Sequence, residues 1–225
     1  MLAASHVTKQ VTSPEGDLTI LDDVSFELAR GQSLAIVGAS GAGKSTLLGL
    51  LAGLDLPTSG EIRLDGANLT ELDEDGRAAL RAAEVGFVFQ SFHLVPSLTA
   101  LENVMLPLEL SGRADARARA VEVLDRVGLA GRRSHSPAHL CGGEKQRVAI
   151  ARAFATEPAV VFADEPTGNL DSRTGETVIE LMFELNRSSS ATLVLVTHDA
   201  ALAGRCEREI ALDAGRLVDD RRNAA

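Results

Sequence analysis

The stretch Gly38-Ala39-Ser40-Gly41-Ala42-Gly43-Lys44-Ser45 decides the reading of this chain. An apolar run with the character of a buried strand, residues 33–37, precedes it, and residues 44–52 read as a helix after it. A glycine-rich turn of the pattern GxxxxGK[ST] between strand and helix is a phosphate cradle. Glycines let backbone N–H groups turn inward around phosphate oxygens, and the helix N-terminus adds positive potential. Lys44 then reaches the terminal phosphates and the Ser45 hydroxyl is a magnesium ligand. Gly38, Ala39, Ser40, Gly41, Ala42, Gly43, Lys44, Ser45 and Thr46 are therefore the expected phosphate-binding residues. The plain alternative, a glycine-rich turn before a buried helix, is far less specific.

Outward from this loop, further short apolar runs read as strands at residues 61–64, 85–89, 159–163 and 192–196. Helical patterns occupy residues 77–83, 113–127, 144–156 and 174–186. Alternation of strand and helix implies an α/β architecture with a largely parallel sheet between helices. Residues 91 to about 139 lack convincing strands and read as an inserted helical lobe. Residues 2–8, 18–21 and 24–28 read as short antiparallel strands beside the sheet.

Composition narrows the function. In 225 residues, 45% hydrophobic and 24% charged describe an ordinary globular chain. There are seven Phe but no Trp or Tyr, which disfavours aromatic platforms for single-stranded nucleic acid. With 22 basic against 32 acidic residues, displacing phosphate counterions from a duplex is not its main task. No nucleic-acid partner is expected. The longest nearly uncharged apolar stretch, residues 45–54, is about half of what a bilayer-spanning helix needs. The N-terminus MLAASHVTKQ lacks the basic-then-apolar order of a secretory signal, so a cytoplasmic location is expected. Cys141 and Cys206 lie far apart with no CxxC or Cys/His cluster, so neither a disulfide frame nor a zinc site is expected.

A second acidic element follows an apolar strand. Asp164, at the end of Val160-Val161-Phe162-Ala163, is placed to hold the magnesium of a nucleotide bound at such a loop. Glu165 is the natural general base for the attacking water. A third element, Leu140-Cys141-Gly142-Gly143-Glu144, opens an apolar helix, and its two glycines suggest backbone N–H groups aimed at an anion.

Residues 140–153, LCGGEKQRVAIARA, resemble the LSGGQ signature of ATP-binding cassette (ABC) proteins. In that family the signature of one subunit closes over the ATP bound by the other. The resemblance covers residues 2 to about 219, and the remaining family elements fall in order. Gln90 matches the Q-loop glutamine, which contacts magnesium and water; Gly168-Asn169-Leu170-Asp171 matches the D-loop; His198 matches the switch histidine at the γ-phosphate. The resemblance implies a P-loop NTPase fold with a RecA-like parallel-sheet core, an N-terminal antiparallel β subdomain and an inserted α-helical subdomain. Residues 1–90 and about 156–225 would form core and β subdomain, and about 91–155 the helical and signature part. It also implies ATP and Mg²⁺ as ligands and catalytic roles for Glu165, His198 and Gln90. Ser45, Gln90 and Asp164 would hold the metal, while Cys141, Gly142, Gly143, Glu144 and Asp171 would meet nucleotide across a head-to-tail homodimer.

The connecting segments 91–108 and 163–171 resemble the branch that serves FtsX-like permeases in lipoprotein release, macrolide export and cell division. An ATPase on the cytoplasmic face of the inner membrane, driving such a permease, is the function implied. Phe92, Leu94, Val95, Leu98 and Met105 offer an apolar surface for the permease, or fill the lobe's own core. Two other readings compete. A nucleic-acid-associated cassette ATPase would carry long insertions between Lys44 and Leu140, which are not there; a regulatory module without turnover would not need Glu165 and His198.

Two departures from the family pattern carry expectations. Cys141 replaces the usual serine, and a thiol is a weaker donor, so reduced hydrolysis is expected. Its place at a helix N-terminus also makes it a candidate redox-sensitive group, against the plain alternative of a tolerated substitution. The second departure is the lack of an aromatic residue after the first strand. Adenine is then expected to rest on an aliphatic face, with Val11 the candidate.

Overall fold

The computed structural model describes residues 1–13 and 16–223. The chain forms two compact units, residues 1–81 with 192 onward and residues 82–191. In chain order the first unit supplies β1 (Leu2–Ser13), β2 (Gly16–Leu28), β3 (Ser33–Val37), α1 (Lys44–Leu51), β4 (Ser59–Leu64), β5 (Ala67–Asn68) and most of α2 (Glu74–Glu84). The second unit follows with β6 (Val85–Phe89), α3 (Ala100–Leu110), α4 (Ala116–Arg126), α5 (Gly142–Ala155), β7 (Val160–Asp164) and α6 (Ser172–Ser189). The chain then returns to the first unit with β8 (Thr192–Val196), α7 (Ala200–Ala203), β9 (Arg208–Asp213) and β10 (Arg216–Arg222).

In the first unit β1 and β2 form one long antiparallel hairpin, from Leu2 opposite Leu28 to Thr12 opposite Asp17. The two separate strands expected at 18–21 and 24–28 are a single strand. Asp22-Asp23 reads as a break, but register shifts on β1 and a left-handed Asp23 (φ 55°) absorb it as a bulge within the ladder. Beyond the bulge Val24, Phe26 and Leu28 alternate inward. β4 pairs with the other edge of β1, and β5 completes this sheet.

The second sheet of this unit is centred on β3, which runs parallel to β8 on one side and β9 on the other. β10 returns antiparallel along β9. Both β3 and β8 have the bounds read from sequence, because each is a short apolar run with no polar face: Leu34, Ala35, Ile36 and all five residues of β8 are buried. Such double burial is what a parallel sheet covered on both faces requires. α1 buries Leu47, Leu48, Leu50 and Leu51.

In the second unit β6 and β7 are parallel, in register from Val85 opposite Val160 to Phe89 opposite Asp164. Phe87 stacks on Phe89 at 5.2 Å and on Phe162 at 5.8 Å. Three of the seven Phe are thus spent on this pair of strands. α5 is the central helix, packed by α3, α4, α6 and β6, and it is buried on nearly every side. Val148, Ile150 and Phe154 each contribute on the order of 1.5–3 kcal/mol by burial there. Among the described residues no strand occurs between 91 and 139, as expected, and no helix is long and apolar enough to cross a membrane.

Candidate nucleotide site

The phosphate loop joins β3 to α1 within the first unit. Gly38, Gly41 and Gly43 take φ of 149°, 81° and 97°, a series that glycine adopts without the strain a Cβ brings. Gly38 is the most constrained, since a Cβ there would lie 2.2 Å from the Leu212 carbonyl oxygen on β9. Left-handed Gly43 starts α1, whose first helical bond runs from Leu47 N–H to the Gly43 carbonyl at 2.8 Å. Lys44 lies across the loop, its Nζ donating to the carbonyls of Gly38 (2.8 Å) and Ala39 (2.9 Å). Ala39, Ser40, Gly41 and Ser45 are exposed, Lys44 and Thr46 half-buried, Ala42 and Gly43 buried. A loop presenting exposed backbone and a lysine at a helix N-terminus suits a polyphosphate. Replacing Lys44 by Met removes the charge-assisted bonds. ATP affinity, measured by equilibrium binding, is expected to fall by about 10- to 100-fold.

His198 and Val11 belong to the same unit. His198 is exposed just after β8, in a turn fixed by Thr197 N–H donating to the Ile36 carbonyl at 3.3 Å and Asp199 N–H donating to Thr197 Oγ1 at 3.0 Å. Val11 is 37% exposed on β1, directly opposite Leu18, which is 59% exposed. The two side chains together offer a small aliphatic face to solvent. Sequence reading does not single out Leu18 for the site; its signal is only an apolar residue among polar neighbours on β2.

The acidic pair lies in the second unit. Asp164 is the last residue of β7, opposite Phe89, and Glu165 has φ 46°. A left-handed glutamate is uncommon and costs on the order of 1–3 kcal/mol, a strain that marks functional positions. The turn is closed by Gly168 N–H donating to the Glu165 carbonyl at 3.0 Å. Both acids are half-buried. Strand alternation ends at Asp164, so the Glu165 side chain leaves in its own direction.

Cys141 is the N-cap of α5 and is exposed. Glu144 is committed at both oxygens: Oε2 accepts from Cys141 N–H at 2.9 Å and Oε1 from Arg132 Nε at 2.8 Å. The Cys141 backbone N–H, with the Arg132 guanidinium beyond it, holds this carboxyl below the usual glutamate range. Gly143 is buried against α6, where a Cβ would come within 2.4 Å of Thr174 Cγ2. The second signature glycine therefore has a packing reason of its own. Asp171 caps α6, its carboxylate accepting from Thr174 N–H at 3.1 Å; the Thr174 hydroxyl and N–H lower its carboxyl from the ordinary aspartate value. Gln90 is exposed immediately after β6, and its carbonyl accepts from Asn169 Nδ2 at 2.9 Å. Within this unit the structure thus joins the signature to the start of α6, and the Gln90 turn to Asn169. Phe92, Leu94, Val95, Leu98 and Met105 are all half-buried, so none is wholly spent on the core.

The two thiols differ sharply. Burial pushes the Cys206 thiol up to about 12, whereas Cys141 faces water. One thiol per folded chain, that of Cys141, should react with an aromatic disulfide reagent at neutral pH, and ATP should slow it. Cys141→Ser restores a stronger donor and should raise ATP turnover about fivefold, the equivalent of about 1 kcal/mol of hydrogen bonding to a charged acceptor. An unchanged rate would remove Sγ from the nucleotide's contacts.

Comparison with known proteins identifies the family and the fold. The family model described as "ABC transporter" matches residues 21–168. The chain is 52% identical over 217 residues to the ABC transporter ATP-binding protein YbbA of Escherichia coli K12, covering 96% of this chain and 95% of that one. It is 49% identical over 221 residues to the lipoprotein-releasing system ATP-binding protein LolD of Bordetella pertussis, covering 97% and 96%. The structure superposes with a TM-score of 0.92, at 40% identity and over 100% of both chains, on the dimeric post-hydrolysis state of the ATP-binding cassette MJ0796 bound to ADP and Pi. A second dimeric structure of MJ0796, described as a bacterial ABC transporter cassette, matches equally well at 41% identity. The fold is thus the α/β ATP-binding-cassette fold, and the chain belongs to the ABC transporter family as an ATP-binding subunit.

Proposed function

We propose that the chain hydrolyses ATP in a head-to-tail homodimer and uses the cycle to drive an FtsX-like permease from the cytoplasmic face of the inner membrane. The observation that carries this is the loop 38–45, glycine-kinked and lysine-spanned at a helix N-terminus, in a chain about half identical over its whole length to YbbA and LolD. In this reading residues 1–90 and about 156–225 bind nucleotide, and residues 91–155 carry the signature.

Gly38 to Thr46 bind the phosphates of one ATP, and Val11 with Leu18 supplies an aliphatic face for adenine. The partner's Cys141, Gly142, Gly143 and Glu144 turn close the nucleotide from the other side, with Asp171 beside them. Glu165 takes a proton from the attacking water, and His198 and Gln90 orient water and γ-phosphate. The Ser45 hydroxyl, the Gln90 amide oxygen and the Asp164 carboxylate are hard oxygen donors, a set that fits Mg²⁺. When bound, the ion neutralises charge that develops on the phosphates. Because adenine rests on aliphatic side chains, base discrimination is weak. Closing and opening of the dimer then becomes mechanical work on the permease through the half-buried Phe92, Leu94, Val95, Leu98 and Met105.

The test is reconstitution with an FtsX-class permease in liposomes. ATP turnover should rise severalfold over the isolated chain. A rate indifferent to every such permease would overturn the coupling while leaving the ATPase assignment intact.

A further inference from the structure

The turn after β6 is built unusually. Phe92 and His93 are successive non-glycine residues in the left-handed region, with φ of 62° and 46°. A left-handed pair splays backbone carbonyls away from any regular ladder, so they need partners from elsewhere. Those partners are side chains. Arg152, on α5, donates from Nη1 to the His93 carbonyl at 2.6 Å and from Nη2 to the Phe92 carbonyl at 3.0 Å. Asn169 Nδ2 donates to the Gln90 carbonyl at 2.9 Å, and Gln146, also on α5, makes a longer contact to the Phe89 carbonyl at 3.4 Å. The His93 ring stacks on Phe89 at 4.7 Å and closes the turn upon itself.

Four carbonyls, those of residues 89, 90, 92 and 93, are thus held by three side chains. Two of these stand on the helix that begins at the signature, and the third stands on the turn after Glu165. We propose that Arg152 is a positioning residue for Gln90: it fixes the Gln90 turn to the signature helix so that the glutamine amide moves with that helix. Asn169 performs the same task at the Gln90 carbonyl itself. The guanidinium suits this role because its planar fork can grip two neighbouring carbonyls at once, which an ammonium cannot. Half-burial of Arg152 and its low-dielectric surroundings strengthen both bonds. The proposal rests on the reading that Gln90 acts in hydrolysis.

A double-mutant cycle tests it. ATP turnover and KM are measured for the full chain, for Gln90→Ala, for Arg152→Met and for the double variant, with thermal unfolding of each. Arg152→Met should lower kcat about tenfold and leave KM for ATP within about twofold, since the binding loop is untouched. In the Gln90→Ala background the same substitution should change kcat by less than about twofold, because the residue it positions is gone. Arg152→Lys, with the charge kept and the fork lost, should fall between wild type and Arg152→Met. Asn169→Ala, on an exposed turn where folding is not at stake, should show the same non-additivity. Equal losses of kcat in both backgrounds would overturn the proposal and leave Arg152 a stabilising residue only. Wild-type kcat in Gln90→Ala would instead overturn the role of Gln90 itself, and the positioning role with it.

Discussion

Glu165→Gln should reduce ATP turnover by about 10²- to 10⁴-fold while leaving ATP binding intact. The amide keeps the size and shape of the carboxylate but cannot accept the proton of the attacking water. The left-handed backbone at Glu165 belongs to a turn closed by Gly168 N–H on the Glu165 carbonyl, a bond the variant retains, so it should keep its fold. Loss of turnover with unchanged nucleotide affinity is therefore a chemical defect and not a structural one. Turnover above about a third of wild type would place the base elsewhere.

Gly38→Ala should cause a large loss of stability. With φ at 149° and the Leu212 carbonyl only 2.2 Å from a built Cβ, the new methyl is strained in conformation and blocked by backbone. Left-handed strain and forced overpacking together amount to about 2–5 kcal/mol. For a chain of this size that is a drop of about 5–15 °C in Tm, accompanied by loss of ATP binding because the loop cannot close around β9. Urea unfolding measures the first and equilibrium nucleotide binding the second. A variant with wild-type stability would show that β9 can give way at Leu212.

The sequence exposes some of this architecture more readily than the rest. β3, β6 and β8 are legible to the residue, because a strand buried on both faces leaves an unbroken apolar run between turn residues. β9 and β10 were missed since Arg208, Glu209, Arg216 and the acids of β10 dilute their apolar signal; only Ile210 and Leu212 anchor β9 fully. α3 was missed although it carries a legible start. Thr99 and Glu102 form a reciprocal capping box, with Glu102 accepting from Thr99 N–H at 2.7 Å and Thr99 Oγ1 from Glu102 N–H at 3.2 Å. Pro107 inside the helix and the loop before it masked the periodicity. That loop is ordered by a fully buried Asn103, which bonds Val95, Leu98 and Thr99, a use of a polar side chain that apolar periodicity does not reveal.

For the candidate site, residue types with a fixed spacing were legible: the loop 38–45, the pair Asp164-Glu165 and the glycines at 142–143. What the sequence could not show is how those residues are held. The commitment of Glu144 to Arg132, the contact of Gly143 with Thr174 and the grip of Arg152 on the Gln90 turn all join positions distant along the chain. Spacing finds the groups that meet a ligand; only packing finds the groups that aim them.

In the proposed cycle each nucleotide is enclosed by two copies of the chain, and sedimentation of the Glu165→Gln protein reports on that enclosure. Without nucleotide the protein should sediment as a monomer. With Mg-ATP at saturating concentration it should shift to a dimer that persists, because hydrolysis no longer opens it. A Glu165→Gln protein that binds ATP fully and remains monomeric would contradict the account.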